Sequence, residues 1–169
     1  MSTTSSYAET FDGVIVDVLS KHVDQRGWLA ELFRNDSDSP LPKPEMGYIS
    51  YTHKGQRRGP HEHVRQSDVF VFLGPYRLFL WDNRESSATY GIKTSFTFNQ
   101  HELVRVVIPP GVVHAYLSLD GGLVMNFPDA LYGGDNRRSI IDEIRHEDDP
   151  SSPFRLWDVD SIYVNGGSR

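Results

Sequence analysis

The 169-residue sequence has no cysteine. That excludes a disulfide framework, a thiolate zinc site, an iron–sulfur cluster and a cysteine nucleophile. A chain of this length buries enough surface to fold without such staples. Long apolar runs are also missing: the longest, such as Val69–Leu73, reach five residues, far short of a membrane span. The Ser/Thr-rich start lacks the basic-then-apolar order of a signal peptide, so the sequence predicts a cytoplasmic protein. Positive charge is in deficit, with 17 Lys+Arg against 23 Asp+Glu and a net charge of −6. With no basic run, nucleic acid and anionic membranes are excluded as partners, whereas a small anionic ligand held by a few local arginines is not. Sustained helical stripes are scarce as well. The best helix candidate, Ser139–His146, is short and highly charged.

What the sequence has instead is short apolar and aromatic runs at close spacing: Val14–Val18, Trp28–Phe33, Gly47–Tyr51, Val69–Leu73, Arg77–Asp82, Ile92–Phe98, Leu103–Ile108, His114–Leu117 and Leu123–Phe127. Turn signals such as Asp24–Gly27, Gly55–Gly59 and Pro109–Gly111 separate them. About nine strands and almost no helix predict an all-β domain, and the two-sheet jelly roll suits that count. Residues 1–12 read as a flexible leader and residues 13–169 as one domain, with a fraying tail after Trp157.

The chemistry concentrates in Arg58-Gly59-Pro60-His61-Glu62-His63-Val64-Arg65-Gln66-Ser67-Asp68. Residues two apart on a strand share a face, so His61 and His63 point the same way. A third histidine, His114, follows the turn Pro109-Pro110-Gly111, and Asp68 opens a strand. Imidazoles and a carboxylate converging inside a barrel make a site for a divalent ion such as zinc, iron, manganese or nickel. The plainer alternative is a set of separate polar residues at a strand mouth, each hydrogen-bonded to backbone. The acidic run Asp142–Asp149 reads as a solvated structural edge, because no tight glycine turn supports chelation.

The spacing Gly55-x5-His61-x-His63-x4-Asp68-x5-Gly74, with Pro109-x-Gly111-x2-His114 later, resembles the paired motifs of the cupin superfamily. In metal-binding cupins that pattern implies His61, His63, His114 and a carboxylate, here Asp68, as ligands. Further segments, Asp24-x-Arg26-Gly27-Trp28-x2-Glu31, Arg58-Gly59-x-His61, Asp82-x-Arg84-x2-Ser87-x-Thr89-Tyr90-Gly91 and Ile108-Pro109-x-Gly111-x2-His114-Ala115-Tyr116, resemble the dTDP-4-dehydrorhamnose 3,5-epimerases. The resemblance implies a jelly-roll cupin that acts as a homodimer on a nucleotide-linked 4-keto-6-deoxy sugar, without a metal or other cofactor. It implies His61 as the base, Tyr132 as the acid on the opposite face, and Arg26, Glu31 and Arg58 as substrate contacts. It also implies that Trp28–Phe33, with Arg26, reaches the partner's site.

The sequence departs from that pattern at several places. Asp68 stands where the family has an enolate-stabilising lysine, His63 where it has a glutamine, and Met46-Gly47-Tyr48 where it has a Gln-x-Asn pair. The carboxylate partner of His61 falls to Asp158 or Asp160. Three functions are consistent with these residues: a nucleotide-sugar epimerase, a metal-dependent cupin enzyme, and a non-catalytic sugar-binding cupin. Sugar 3,4-ketoisomerases share an Arg-Gly-x-His-x-His segment but not the Ser-x-Thr-Tyr-Gly stretch.

Overall fold

A computed structural model describes residues 11–34 and 41–157. The expected jelly roll is what the chain forms. One antiparallel sheet has the order β1 (Ile15–Val18), β9 (Leu103–Ile108), β6 (Asp68–Leu73), β11 (Gly122–Asn126), β4 (Tyr48–Thr52). The second runs β12 (Ile144–Arg145), β5 (Arg57–Glu62), β10 (Val112–Ser118), β7 (Tyr76–Asp82), β8 (Lys93–Phe98). A hairpin of β2 (His22–Asp24) and β3 (Gly27–Leu29) pairs with neither sheet.

Strand alternation builds the core. Phe70 and Phe72 of β6, Leu78 and Leu80 of β7, Val104 and Val106 of β9 and Tyr116 of β10 all belong to one buried cluster between the sheets. The opposite faces of β7 and β10 are covered as well: Phe79, Trp81, Val113 and Ala115 pack under Phe154, Leu156 and Trp157. The second sheet is therefore dry on both sides where it carries His114, which is 1% exposed.

Three expectations change. The domain takes in Phe11, which is buried in the core, and Asp12, whose carbonyl accepts from Arg84, so the boundary expected at Gly13 moves upstream. Ser139–His146 is not a helix. Its end becomes β12 on β5, followed by a 3-10 turn at His146–Asp148, because the Asp142 carboxylate and backbone carbonyl are taken by the Val64–Gln66 amides and His63. The strand expected over Trp28–Phe33 stops at Leu29, where the Leu32 carbonyl turns to accept from the Arg105 guanidinium at 3.0 Å.

Strand β5 was hidden in sequence because Arg57-Arg58-Gly59-Pro60 looks like a turn. Gly59 makes it a strand: at φ +78 its missing Cβ would fall 2.5 Å from the His114 carbonyl oxygen. Only glycine permits that approach. It brings β5 onto β10 with His61 directly opposite His114, just before the register slips between His114 and Tyr116.

Candidate active site

His61, His63, Asp68, Arg58 and Tyr132 line one cavity of about 570 Å³. Its size is that of a small-ligand pocket. Tyr48, Gln66, Tyr116, Glu143 and Glu147 share its wall. The His61 and His114 rings meet edge to face with centroids 4.4 Å apart, and His63 lies 5.9 Å from His61. The three expected histidines therefore come together. Arg26 and Glu31 do not join them: Arg26 lies at the hairpin tip bonded to Asp24 at 2.5 Å, and Glu31 pairs with Arg34 at 3.0 Å.

Asp68 opens β6 and is 1% exposed. Its Oδ1 accepts from Gln66 Nε2 at 2.9 Å and Asn126 Nδ2 at 2.8 Å, and its Oδ2 lies 3.2 Å from His63 Nε2. Burial alone would raise the Asp68 pKa, but the His63 hydrogen bond and the histidine charges outweigh it and bring the carboxyl to about 2. For His63, burial would lower the pKa, and the bond to Asp68 and its charge carry it up to about 9. His63 and Asp68 thus form an imidazolium–carboxylate pair. The negative charge that Asp68 places where the family has its lysine is offset by its neighbour His63.

His61 is the opposite case. Burial, followed by the charge of His114, pushes its pKa well below the usual histidine value, so it is neutral. Its Nδ1 faces Glu147 at 3.8 Å and Glu143 at 3.9 Å. These two glutamates were invisible as site residues in the sequence, where the acidic run reads as a solvated edge. That reading is corrected: β12 on β5 and the His146–Glu62 hydrogen bond at 2.9 Å pull the segment over the pocket. The usable signal was a carboxylate run near a histidine lacking an acidic partner. Asp158 and Asp160, the expected partners, lie outside the described residues.

Arg58 donates from Nε to Thr52 Oγ1 at 3.2 Å and from Nη2 to the Tyr51 carbonyl at 3.4 Å, which fixes its fork at the pocket rim. Tyr132 is half exposed. Its backbone N–H donates to the Met46 sulfur at 3.2 Å. Burial raises the phenols of Tyr48 and Tyr116, so both keep their protons. The Asp82-x-Arg84-x2-Ser87-x-Thr89 motif lies elsewhere, as a knot: the Asp82 carboxylate accepts from Arg84, Ser87 and Thr89.

No helix among the described residues is long and apolar enough to cross a membrane. In sequence, the chain is 36% identical over 118 residues to a probable low-salt glycan biosynthesis epimerase of Haloferax volcanii, covering 68% of this chain and 76% of that protein. It is 35% identical over 106 residues to a spore coat polysaccharide biosynthesis protein of Bacillus subtilis, covering 62% and 70%. In fold, it resembles a dTDP sugar isomerase from Desulfovibrio desulfuricans, with a TM-score of 0.71 at 22% identity over 86% of this chain and 91% of that one. The profile of the dTDP-4-dehydrorhamnose 3,5-epimerases matches residues 8–144, and the chain belongs to that family.

Proposed function

We propose that the protein inverts a carbon beside the ketone of a dTDP-linked 4-keto-6-deoxy sugar, with His61 as base and Tyr132 as acid. The observation that carries this reading is the neutral His61 in a pocket of ligand size, flanked by carboxylates on its Nδ1 side. Those carboxylates favour the ring proton on Nδ1 and leave the Nε2 lone pair free. A proton beside a carbonyl is acidic enough for a neutral imidazole to remove. Redelivery from the other face inverts the centre, and the Tyr132 phenol supplies that proton. Arg58 grips the diphosphate with its planar fork. The reaction needs no cofactor in this family.

The enolate meets the His63–Asp68 pair where relatives of the family pattern have a lysine. A pair with no net charge stabilises an oxyanion less than a free cation does. Turnover on the rhamnose precursor is therefore slow, and the preferred sugar is another member of the class.

The hairpin supports a homodimer in which Arg26 serves the partner's pocket. Val23, Trp28 and Leu29 are 77%, 50% and 63% exposed there, an apolar surface beside a solvent-exposed arginine paired with Asp24. Sedimentation at micromolar concentration tests this part, and a monomer refutes it.

The proton roles are tested by hydrogen–deuterium exchange at the carbons beside the ketone of a dTDP-4-keto-6-deoxy sugar. His61→Ala lowers exchange by about 10²- to 10⁴-fold. Tyr132→Phe slows inversion more than exchange. Unchanged exchange in the His61 variant refutes the assignment of the base.

A further inference from the structure

Asp68 stands where the family pattern has the lysine that meets the enolate, and the donors around it are already engaged. The His63 ring commits Nδ1 to the Asp142 carbonyl and Nε2 to Asp68. Gln66 Nε2 lies 2.9 Å from Asp68 and 3.2 Å from the His63 ring nitrogen. Arg58 is held at the rim by Thr52 and the Tyr51 carbonyl, and the Tyr116 phenol is bonded to Ser50. An enolate oxygen in this pocket needs a donor from another quarter.

Tyr48 offers one. Strand alternation turns Tyr48 and Ser50 of β4 into the cavity, and the register sets Tyr48 directly opposite Asn126 of β11. Asn126 is buried, with Nδ2 2.8 Å from Asp68 Oδ1 and 3.0 Å from the Tyr48 hydroxyl oxygen. An ionised carboxylate only accepts, which fixes the amide: turned over, Asn126 would set its own oxygen against that of Asp68. Nδ2 therefore gives one hydrogen to Asp68 and the other to Tyr48. The phenol oxygen is the acceptor in that bond, so its own proton is left to point into the cavity. Burial keeps the proton in place by raising the phenol above its ordinary pKa. Two hydrogen bonds anchored on the family's lysine position thus aim a hydroxyl at the ligand.

We propose that Tyr48 is a further catalytic residue: its O–H donates to the ketone oxygen of the sugar and holds the enolate that forms there, with Asn126 as its positioning residue. The inference rests on the reading of the pocket as an epimerase site. As the base takes the carbon-bound proton, the C–H electron pair becomes the new C=C bond and the carbonyl π pair moves onto oxygen. Tyr48 keeps its proton and shares it as a hydrogen bond, and the electrons return to carbon when the acid delivers a proton there. A neutral phenol aimed in advance gains strength as charge develops on the oxygen, with no ion of its own to bury beside Asp68.

The test follows deuterium exchange and inversion of dTDP-4-keto-6-deoxyglucose in D2O by proton NMR, with the full-length chain. Tyr48→Phe keeps the ring and removes only the hydroxyl. We expect kcat for exchange to fall about 10²- to 10³-fold, the effect of one lost oxyanion donor, with inversion falling by the same factor and KM little changed. That pattern separates it from Tyr132→Phe, which slows inversion more than exchange. Affinity for dTDP, measured by calorimetry, stays at the parent's value, which shows an intact pocket. Asn126→Leu costs less exchange in the Tyr48→Phe background than in the parent, because the amide acts through the phenol; equal costs overturn its positioning role. The proposal for Tyr48 is overturned if the Phe variant exchanges as fast as the parent, if KM rises while kcat is kept, or if inversion is lost while exchange is kept. A parent that binds dTDP but exchanges nothing sinks the epimerase reading and the Tyr48 role with it. A parent that exchanges, with the Tyr48 variant its equal, sinks the Tyr48 role alone.

Discussion

Two meetings of histidine with carboxylate share the pocket and end in opposite protonation states. His63 touches Asp68 at 3.2 Å and is carried up to about 9, whereas His61 is held 3.8 Å from Glu147 and stays neutral. Both rings are buried, so burial alone does not separate them. The difference is contact. A carboxylate within hydrogen-bond reach outweighs desolvation, and one just beyond it does not. The sheet sets those distances: Asp68 is fixed in β6 by Gln66 and Asn126, while Glu147 hangs from a 3-10 turn tied back through His146 to Glu62.

The sharpest way to break the contrast is Asp68→Asn, which removes the closed pair. We expect a loss of about 3 kcal/mol at mildly acidic pH, since a buried ion pair is broken from one side. The loss depends on pH in a definite direction. The Asp68 pKa is depressed from 3.8 to about 2, so its contribution is complete above pH 3.8 and disappears as pH falls through 2. The His63 pKa is raised from 6.5 to about 9, so its contribution is complete below pH 6.5 and disappears as pH rises through 9. Denaturant melts in EDTA should show the gap between parent and variant widest between about pH 4 and 6.5, narrowing toward pH 9. A gap that does not vary with pH contradicts the ion pair.

Gly59→Ala disturbs the open side through the backbone. A methyl 2.5 Å from the His114 carbonyl, on a residue at φ +78, pushes β5 off β10 at the His61 position. The expected destabilisation is about 1–3 kcal/mol, read as a lower melting temperature with a matching fall in exchange. Glu147→Gln has the smallest effect. It leaves shape intact and removes one of two charges near His61, so exchange slows by less than about tenfold, the equivalent of one pKa unit. Stability stays within about 0.5 kcal/mol. A hundredfold fall in exchange for Glu147→Gln would mean that the carboxylate bonds His61 during the reaction, closing the distinction between the two pairs.

Much of this was legible in the sequence where chemistry followed periodicity. β6, β7 and β9 alternate or run apolar, and they fall where the pattern put them. His61, His63, Asp68 and His114 converge because two local motifs sit on neighbouring strands. The rest was hidden for physical reasons. β5 contains glycine and proline, which read as a turn until the close approach to β10 is known. Glu143 and Glu147 arrive on a segment with almost no regular structure, held by contacts to residues some 80 positions away, and composition alone sends such a run to solvent. Arg26 lies on a hairpin outside both sheets, so the contacts within one chain give it no ligand.

The strap from Asp142 to Trp157 closes the account of the second sheet. It is moored at three points: Asp142 on the Val64–Gln66 amides, His146 on Glu62, and Phe154 and Trp157 on Trp81. It has one two-residue strand and one 3-10 turn of its own, so these moorings, more than internal hydrogen bonds, hold it down. Such a segment opens as a unit at a lower free energy than the barrel beneath it. Because Glu143 and Glu147 both ride on it, an opening of the strap would take both carboxylates away from His61 together. The strap thus works as a tether with a breaking strength, and amide exchange along residues 142–157 measures how often the chemistry is interrupted.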